Sequence, residues 1–497
     1  MIETRCSFIG HADSQKVADM SPKLFEKLLR LALVPLCAAV LVTAGCSSSS
    51  MTTTGTQSAE TGSAFAIGTD APMASVVSFP VQLESVELTG SGGSTTTLIS
   101  GMPTVDFARY NGLQALLDMN DVPVGTYTGV TITLGSGSIG YLDTSSTPPA
   151  IQSMAASFTS STVNVTLTKP LVVVHGGNPV GLRLDFDLAQ SIEVDSNGNI
   201  TGTVNPTFDA TAVKNSDRGG YIDEFIAGVV SVNQAGQSFV VQGPHGANFT
   251  INVSGSTEWD GDASLSTLNT SSIVAVSGKI DPADRTLDAD VVALISDKGF
   301  YATGQITYVA ETAGNPATSF DLYVRGLEPT STGLALGQLA TVDLTGNEKY
   351  YIYWAHNPLT QFLFNSSSLL AGQDIAMGGP ATGAANASDV TVDRIHLRNW
   401  GFNGTIVAGS QNPADGTFQM QIKGFAGVLI PETVTVYLGP ICDFRYGLDT
   451  FTDLTDGASI RVVGLLLNDP ANGQVVLVAR HIDGTDFTDF TATAAAQ

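Results

Sequence analysis

The chain has 497 residues, with 21 Lys+Arg against 46 Asp+Glu, a formal net charge of -25. Charged residues make up 13% and Gly counts 52, which excludes intrinsic disorder, since disorder needs many charges and few apolar groups. The same scarcity of Lys, Glu and Arg excludes a coiled coil, and the excess of acid argues against nucleic acid, whose phosphates demand a basic footprint.

Residues Lys23 to Cys46 read KLFEKLLRLALVPLCAAVLVTAGC. Lys23, Lys27 and Arg30 precede an apolar run from Leu31 to Val42. That run is shorter than the ~20 residues a spanning helix needs and fits a signal peptide over residues 1–45. Residues 1–19 hold Asp13 and Asp19 and are unlike a signal start, so the true start is expected at Met20. The run ends in Thr43-Ala44-Gly45-Cys46, which resembles the bacterial lipobox; this implies that Cys46 is lipidated and becomes the first mature residue. Ser47, not Asp, follows. The inner-membrane retention signal is therefore absent, and the resemblance implies an outer-membrane destination. Residues 46–63 read as the lipidated Cys and a flexible Ser/Thr/Gly tether. Of Cys6, Cys37, Cys46 and Cys442, only Cys442 would remain as a thiol. No intramolecular disulfide is expected, and Cys442 reads as a buried structural thiol.

From residue 64 on, apolar and polar residues alternate in stretches such as VSFPVQLESVELTG and GTYTGVTITLG, the pattern of strands. Asn197-Gly198 marks a hairpin turn. One segment, VDFARYNGLQALLDM, places Phe107, Leu113, Leu116 and Leu117 near one helical face. Residues 64–214 resemble the family called domain of unknown function 4382, found in bacterial lipoproteins. The carrying residues are Thr69-Asp70-Ala71-Pro72, Leu83-Glu84-Ser85-Val86-Glu87-Leu88 and Pro123-Val124-Gly125-Thr126-Tyr127, then Leu184-Asp185-Phe186-Asp187-Leu188 and Val204-Asn205-Pro206-Thr207-Phe208. The resemblance implies a Greek-key β-sandwich and assigns no activity.

The second half repeats. Units opening at Ile226, Ala302 and Phe402 share a Gly, a strand, a turn and a second strand, and each has a later partner segment. The anchor glycines Gly228, Gly304 and Gly404 are 76 and 100 residues apart, which predicts an insertion in the second unit around Lys349 to Phe364. The pattern resembles the family called domain of unknown function 5666. It implies three small OB-like β-barrel repeats over 222–298, 299–399 and 400–484, with a tail at 485–497. The fold expected is thus all-β, a sandwich followed by three barrels.

Few motifs carry chemistry. Gly135-Ser-Gly137-Ser-Ile-Gly140 satisfies G-x-G-x-x-G, but YLDTSSTPPA follows it, which cannot be the phosphate-binding helix. A loop is expected there instead. Asp195 to Thr201 resembles half a calcium loop, yet position twelve is Pro206 rather than Glu; a hairpin turn is the simpler reading. Asp185 and Asp187 alternate on a solvent-facing strand side, and Asp260-Gly261-Asp262 reads as a turn. His175, His245, His356, His396 and His481 have no zinc spacing. His396 and His481 fall in equivalent strands, which points to a structural role. Tyr350, Tyr351, Tyr353 and Trp354 cluster in KYYIYWAHNP. They read either as core filling or as an aromatic strip that holds a ligand by stacking, with Tyr351, Tyr353 and Trp354 as the candidate ligand-binding residues.

No catalytic residue, metal ligand or cofactor site is identified. The expected function is a non-catalytic envelope lipoprotein, a binding, adhesion or scaffold module. Its lipid would tie it to the membrane, and a glycan or envelope protein would be its partner. The alternatives are a carbohydrate-active or other periplasmic enzyme and a calcium- or metal-responsive envelope protein. Residues 1–45 hold five basic and four acidic residues, which leaves 16 basic against 42 acidic in the mature chain. These acids are dispersed, and they read as solubility for a Thr- and Gly-rich β surface.

Overall fold

Alternation produces strands along most of the described residues. The structure is a computed structural model; it describes residues 60–71, 76–143, 150–196, 198–215, 218–242, 248–310, 316–328, 334–353, 361–380, 390–422 and 433–484. The signal segment and residues 46–59, with Cys46, lie outside these residues, as do Trp354, His245 and His356. The tether ends earlier than expected, since Thr61–Ser63 already belong to the first strand, Thr61–Ala71.

The first body is a sandwich. One sheet runs in the order Phe208–Lys214, Val180–Asp187, Thr61–Ala71, Ala115–Pro123. The facing sheet is built on Thr162–Val173, Gly125–Asp143, Pro80–Gly90 and Thr95–Ile99. Ala64, Ala66, Leu182 and Leu184 of the first meet Val81, Leu88, Val130 and Ile132 of the second in one core. Phe186 stacks on Phe208 at 4.2 Å and Phe107 meets both edge-on. The strand Pro80–Gly90 alternates buried Val81 and Leu83 with exposed Glu84, then carries a second polar residue, Ser85. Its pairing shifts register between Leu83 and Ser85. The bulge absorbs the extra residue and returns Val86 and Leu88 to the core.

Each later unit is an OB-type meander. In the first, Tyr221–Asn233 pairs with Ser238–Gln242 and with Ile273–Asp281, and Asn248–Asn252 closes in parallel on Thr286–Ser296. The third closes fully in the same way: Thr433–Arg445 lies parallel to Val475–Asp483. The second has the same order, Leu339–Asp343, Ser319–Glu328, Gly299–Ala310, Asp374–Pro380, Arg394–Arg398, and among the described residues its ends are joined by the bridge Val342–Val390.

Three further expectations need correction. The segment around Phe107 is not a helix: a 3-10 turn over Phe107–Tyr110 ends at Gly112, whose φ is +76°, and a strand over Ala115–Pro123 follows. Leu117 then points into the sandwich while Leu116 points out into the first barrel. The glycine motif is not a loop but part of the strand Gly125–Asp143. A Cβ on Gly140 would stand 2.3 Å from the Tyr323 hydroxyl of the second barrel, so the missing side chain makes room for that contact. The extra length of the second unit falls only in part at Lys349 to Phe364, where the connection from Ile352 to Asp374 is longer than its counterpart from Asp260 to Ile273. The strand Lys349–Ile352 pairs in parallel with Arg394–Arg398 as Glu258–Asp260 does with Thr286–Ser296 in the first barrel; the additional residues are spread over the connections between strands.

The described residues fall in one compact unit. Phe65, Ile67, Leu116 and Met119 cover the outer face of the sandwich sheet with the apolar interior of the first barrel, through Ile222, Phe225 and Val274. Ala275, Val291, Ala293 and Ile295 of the first barrel pack on Tyr353 and Ala376 of the second. Leu465, Leu467, Val476 and Val478 of the third extend the core of the second.

Candidate functional site

Tyr350, Tyr351 and Tyr353 do not form an exposed strip. Tyr353 is 2% exposed and packs between the first two barrels. Tyr351 is half-buried, stacked on the His396 ring at 4.9 Å. Its hydroxyl donates to Asp262 Oδ2 at 2.9 Å, and Lys349 Nζ reaches the same oxygen at 2.5 Å. Burial, with the Asp262 bond, pushes the Tyr351 hydroxyl up to about 12. The turn Asp260-Gly261-Asp262 therefore docks the first barrel on the second, and Arg394 Nη1 donates to Gly261 O at 2.6 Å. Tyr351 and Tyr353 are interface residues here, and alternation along one strand could not reveal a neighbour brought in by a different barrel.

The other candidates also sit in structural contacts. Asp195 accepts from the Asn199 backbone and side-chain amides at 2.8 and 3.0 Å, inside a hairpin turn. Asp187 is buried and caps a short helix, accepting from Gln190 N at 2.9 Å. Asp185 is half-buried, not solvent-facing, and burial pushes its carboxyl up to about 6 against the pull of Arg461 and Arg183. Cys442 is half-buried, and packing pushes its thiol up to about 12. Among the described residues no group of three or more His, Cys, Asp and Glu is placed to hold a metal.

A buried set of charges joins all four bodies. Arg398 of the second barrel donates through Nε to Glu224 Oε1 of the first at 2.8 Å, and its Nη2 pairs with Oε2. Arg109 of the sandwich reaches Glu224 at 3.2 Å and Asp374 of the second barrel at 3.6 Å. Arg398 Nη1 stands 3.1 Å from Asp374 Oδ1. Burial works against the Glu224 charge, but Arg398 and Arg109 outweigh it and hold the carboxyl below its usual range. Trp400 of the third barrel lies between Arg325 at 4.4 Å and Arg109 at 5.3 Å. Arg325 in turn pairs with Asp106 of the sandwich at 3.1 Å. The charges of this cluster are ion-paired with one another, although Arg109 Nη1, both Arg325 Nη atoms and both Asp374 oxygens make no hydrogen bond among the described residues.

Beside it, the sandwich, first barrel and third barrel leave a cleft of about 420 Å³. Gln114 comes from the sandwich, just before its edge strand. Tyr221 and Asp223 come from the first strand of the first barrel, and Arg445 and Arg480 from the third barrel. Asp223 is 3% exposed; its Oδ2 accepts from the Gln114 backbone at 2.9 Å. Arg480 Nη2 donates to the Tyr221 hydroxyl at 3.3 Å and stands 4.0 Å from Asp223 Oδ1. Asp223 Oδ1, Gln114 Oε1 and Arg445 Nε are buried and find no hydrogen-bond partner among the described residues. Sequence reading missed these residues. The one available signal was a charge inside an apolar strand, as in YIDEFIAG and VLVARHI, because such a charge needs a partner from elsewhere.

Residues 66–202 match the family described as a domain of unknown function (DUF4382). The match covers most of the sandwich, ending before its last strand, Phe208–Lys214, and stops short of the barrels. No curated protein matches the chain. The family carries no assigned activity, so the cleft is read from its own geometry.

Proposed function

We propose that the chain is a non-catalytic lipoprotein of the cell envelope, a binding or scaffold module held to the outer membrane by the lipid on Cys46. The observation that carries the binding part is the cleft. Three parts of one chain line it with polar and charged side chains, Gln114, Tyr221, Asp223, Asp290, Arg445 and Arg480 among them, a concave site of the kind that small ligands use. The ion-paired cluster next to it supports a fixed arrangement of the domains, the kind that presents one preformed site. The lipobox-like Thr43-Ala44-Gly45-Cys46 supports the anchor.

Metabolic labelling with palmitate tests the anchor: label in the native chain, and none in Cys46→Ser. An unlabelled native chain overturns it. Protease shaving of whole cells separates the periplasmic from the outer face. Retention of envelope components by the full chain, measured against a Gln114→Leu variant, tests the binding role.

A second reading is favoured by the carboxylates Asp223, Asp290 and Asp443, which share the cleft with Glu258: acid–base hydrolysis of a glycan there. Product release from a saccharide panel, lost in Asp290→Asn, would replace the binding reading.

A further inference from the structure

We propose that the end of the sandwich where the described chain begins lies against the lipid bilayer, with Val124, Val172 and Val174 set into it and the second and third barrels held away. This rests on reading Cys46 as the lipid anchor, and it adds a contact surface to that anchor.

The strand Thr61–Ala71 starts at this end. Ala115–Pro123 runs antiparallel to it and finishes here, with Pro123 opposite Thr61. Val180–Asp187 runs parallel to it and starts here, and Gly125 pairs with Val173. Ser91 N donates to Thr126 O at 3.0 Å, which brings in the turn after Pro80–Gly90. The connections 90–94, 123–125 and 174–179 therefore meet at one end. Val124 N donates to Glu60 O at 2.8 Å, and His175 Nδ1 reaches Thr61 O at 3.1 Å, so two of them flank the point where the tether arrives. Cys46 and Glu60 are 14 residues apart, a length that spans at most about 50 Å. A lipid on Cys46 thus keeps this end close to the bilayer. The second and third barrels meet the sandwich at its opposite end, where Tyr323 bonds Ser78 and His481 reaches Gly112.

Val124, Val172 and Val174 are 42%, 48% and 48% exposed. Val172 and Val174 flank the buried Val173 and share a face. Val124 adjoins Gly125, the partner of Val173. The three lie together, and grouped exposed apolar side chains mark an interaction surface. Charge selects the occupant. The chain carries a formal net charge of -25, and anionic headgroups repel acid. The hairpin turns of the barrels hold Asp281, Asp284, Asp415 and Asp469. The connections 90–94, 123–125 and 174–179 hold no Asp or Glu. Glu60 and Asp121 stand at the strand ends here with Lys214, so the end is close to neutral in a strongly acidic molecule. Tethering raises the local concentration of lipid at these valines, so a contact too weak to hold a free protein on a membrane suffices.

The test couples the chain from Cys46 onward, through the Cys46 thiol, to maleimide lipid. The vesicles are phosphatidylethanolamine and phosphatidylglycerol with a brominated phosphatidylcholine, whose bromine quenches tryptophan at short range. Cys442 is half-buried with its thiol pushed up to about 12, so it reacts slowly. This sets the chain on a bilayer whether or not cells lipidate Cys46. Against the native chain as background, Val124→Trp is expected to be quenched several-fold more than Leu363→Trp, a 60% exposed site on the second barrel. Adding Val172→Ser and Val174→Ser to Val124→Trp is expected to lower the quenching toward the Leu363→Trp value, with the circular dichroism spectrum unchanged. Equal quenching at the two tryptophans overturns the face, as does quenching that the two serines leave untouched. Strong quenching of Val124→Trp with no palmitate on the native chain sinks the anchor and keeps the face. Palmitate label with equal quenching keeps the anchor and sinks the face. A Cys46→Ser chain that sediments as a dimer, and as a monomer once Val172→Ser and Val174→Ser are added, would give the valines to a second copy and overturn the lipid assignment.

Discussion

His396 and His481 hold the same place in two barrels and make the same kind of contact. Each lies two residues beyond the partner of a glycine on the neighbouring strand, Gly378 or Gly464. Each is wholly buried and donates Nε2–H to a carbonyl of a neighbouring body, Leu294 O at 3.0 Å and Gly112 O at 3.2 Å. Burial pushes His396 down to about 3, and His481 well below its usual range, with Arg445, Arg480 and Arg461 adding to the effect. Both are neutral in the fold and take up a proton on unfolding in acid. Their contribution is therefore present above pH ~6.5, the unfolded value, and is lost as pH falls toward about 3 for His396. Each histidine should cost about 1.4 kcal/mol per pH unit over that window. Urea midpoints between pH 7 and 4 check this: His396→Gln should flatten the slope relative to the native chain, and an unchanged slope refutes the assignment. Asp185 has the opposite sign. Its folded value, about 6, is raised by burial, so its contribution is present below pH ~4 and lost as pH rises through about 6. Asp185→Asn should stabilise the protein by roughly 1–3 kcal/mol at pH 7 and by nothing at pH 4, read as a shift in melting temperature. The equivalence of the two histidines was legible in DRIHL and VARHI. The carbonyls they reach were not, because those belong to other bodies.

At the scale of the element, alternation located strands well but did not prevent the helical reading around Leu113 to Leu117. Leu113, Leu116 and Leu117 fit a helical face on paper, and Gly112 already interrupted it. The deciding fact is that the strand Ala115–Pro123 is buried on both sides: Leu117 in the sandwich, Leu116 against Ile222 and Phe225. A strand with two buried faces loses its alternation, and apolar neighbours then mimic a helix. The same cause explains the unbroken runs IVAVSG and VVLVARHI. They are the strands Ile273–Asp281 of the first barrel and Val475–Asp483 of the third, and their outer faces pack on the second barrel. Continuous apolar runs in a chain of otherwise alternating strands were thus a readable sign that the barrels dock on one another. Leu116→Ala should cost about 2–5 kcal/mol, measured by denaturant unfolding. A cost near zero would mean that this face is not covered by the first barrel.

At the scale of the molecule, the scarce arginines decide how the bodies are held. Arg109, Arg325, Arg398, Arg461 and Arg480 are all buried, and each meets a carboxylate of its own or another body. The acids around them are not the dispersed surface charges that composition implied; Asp223, Glu224, Asp374 and Asp483 lie inside. Composition counts charges without their location, and only the meeting of distant segments shows which ones must be paired. Glu224 is the strongest case, because Arg109 and Arg398 share its carboxylate. Removing one partner from a buried set leaves uncompensated charge and costs about 3–5 kcal/mol, whereas an exposed pair is worth under about 1 kcal/mol. Glu224→Ala should therefore show the larger loss in calorimetry and speed hydrogen exchange in the paired strands of the first and second barrels together. Glu224→Met combined with Arg398→Met removes both charges, and Arg109 then keeps Asp374. The double variant should lose less than Glu224→Ala alone, since an apolar pair of similar volume avoids the unpaired guanidinium. A single-variant loss below about 1 kcal/mol would place the cluster in water, and the four bodies would then be held by their apolar faces alone.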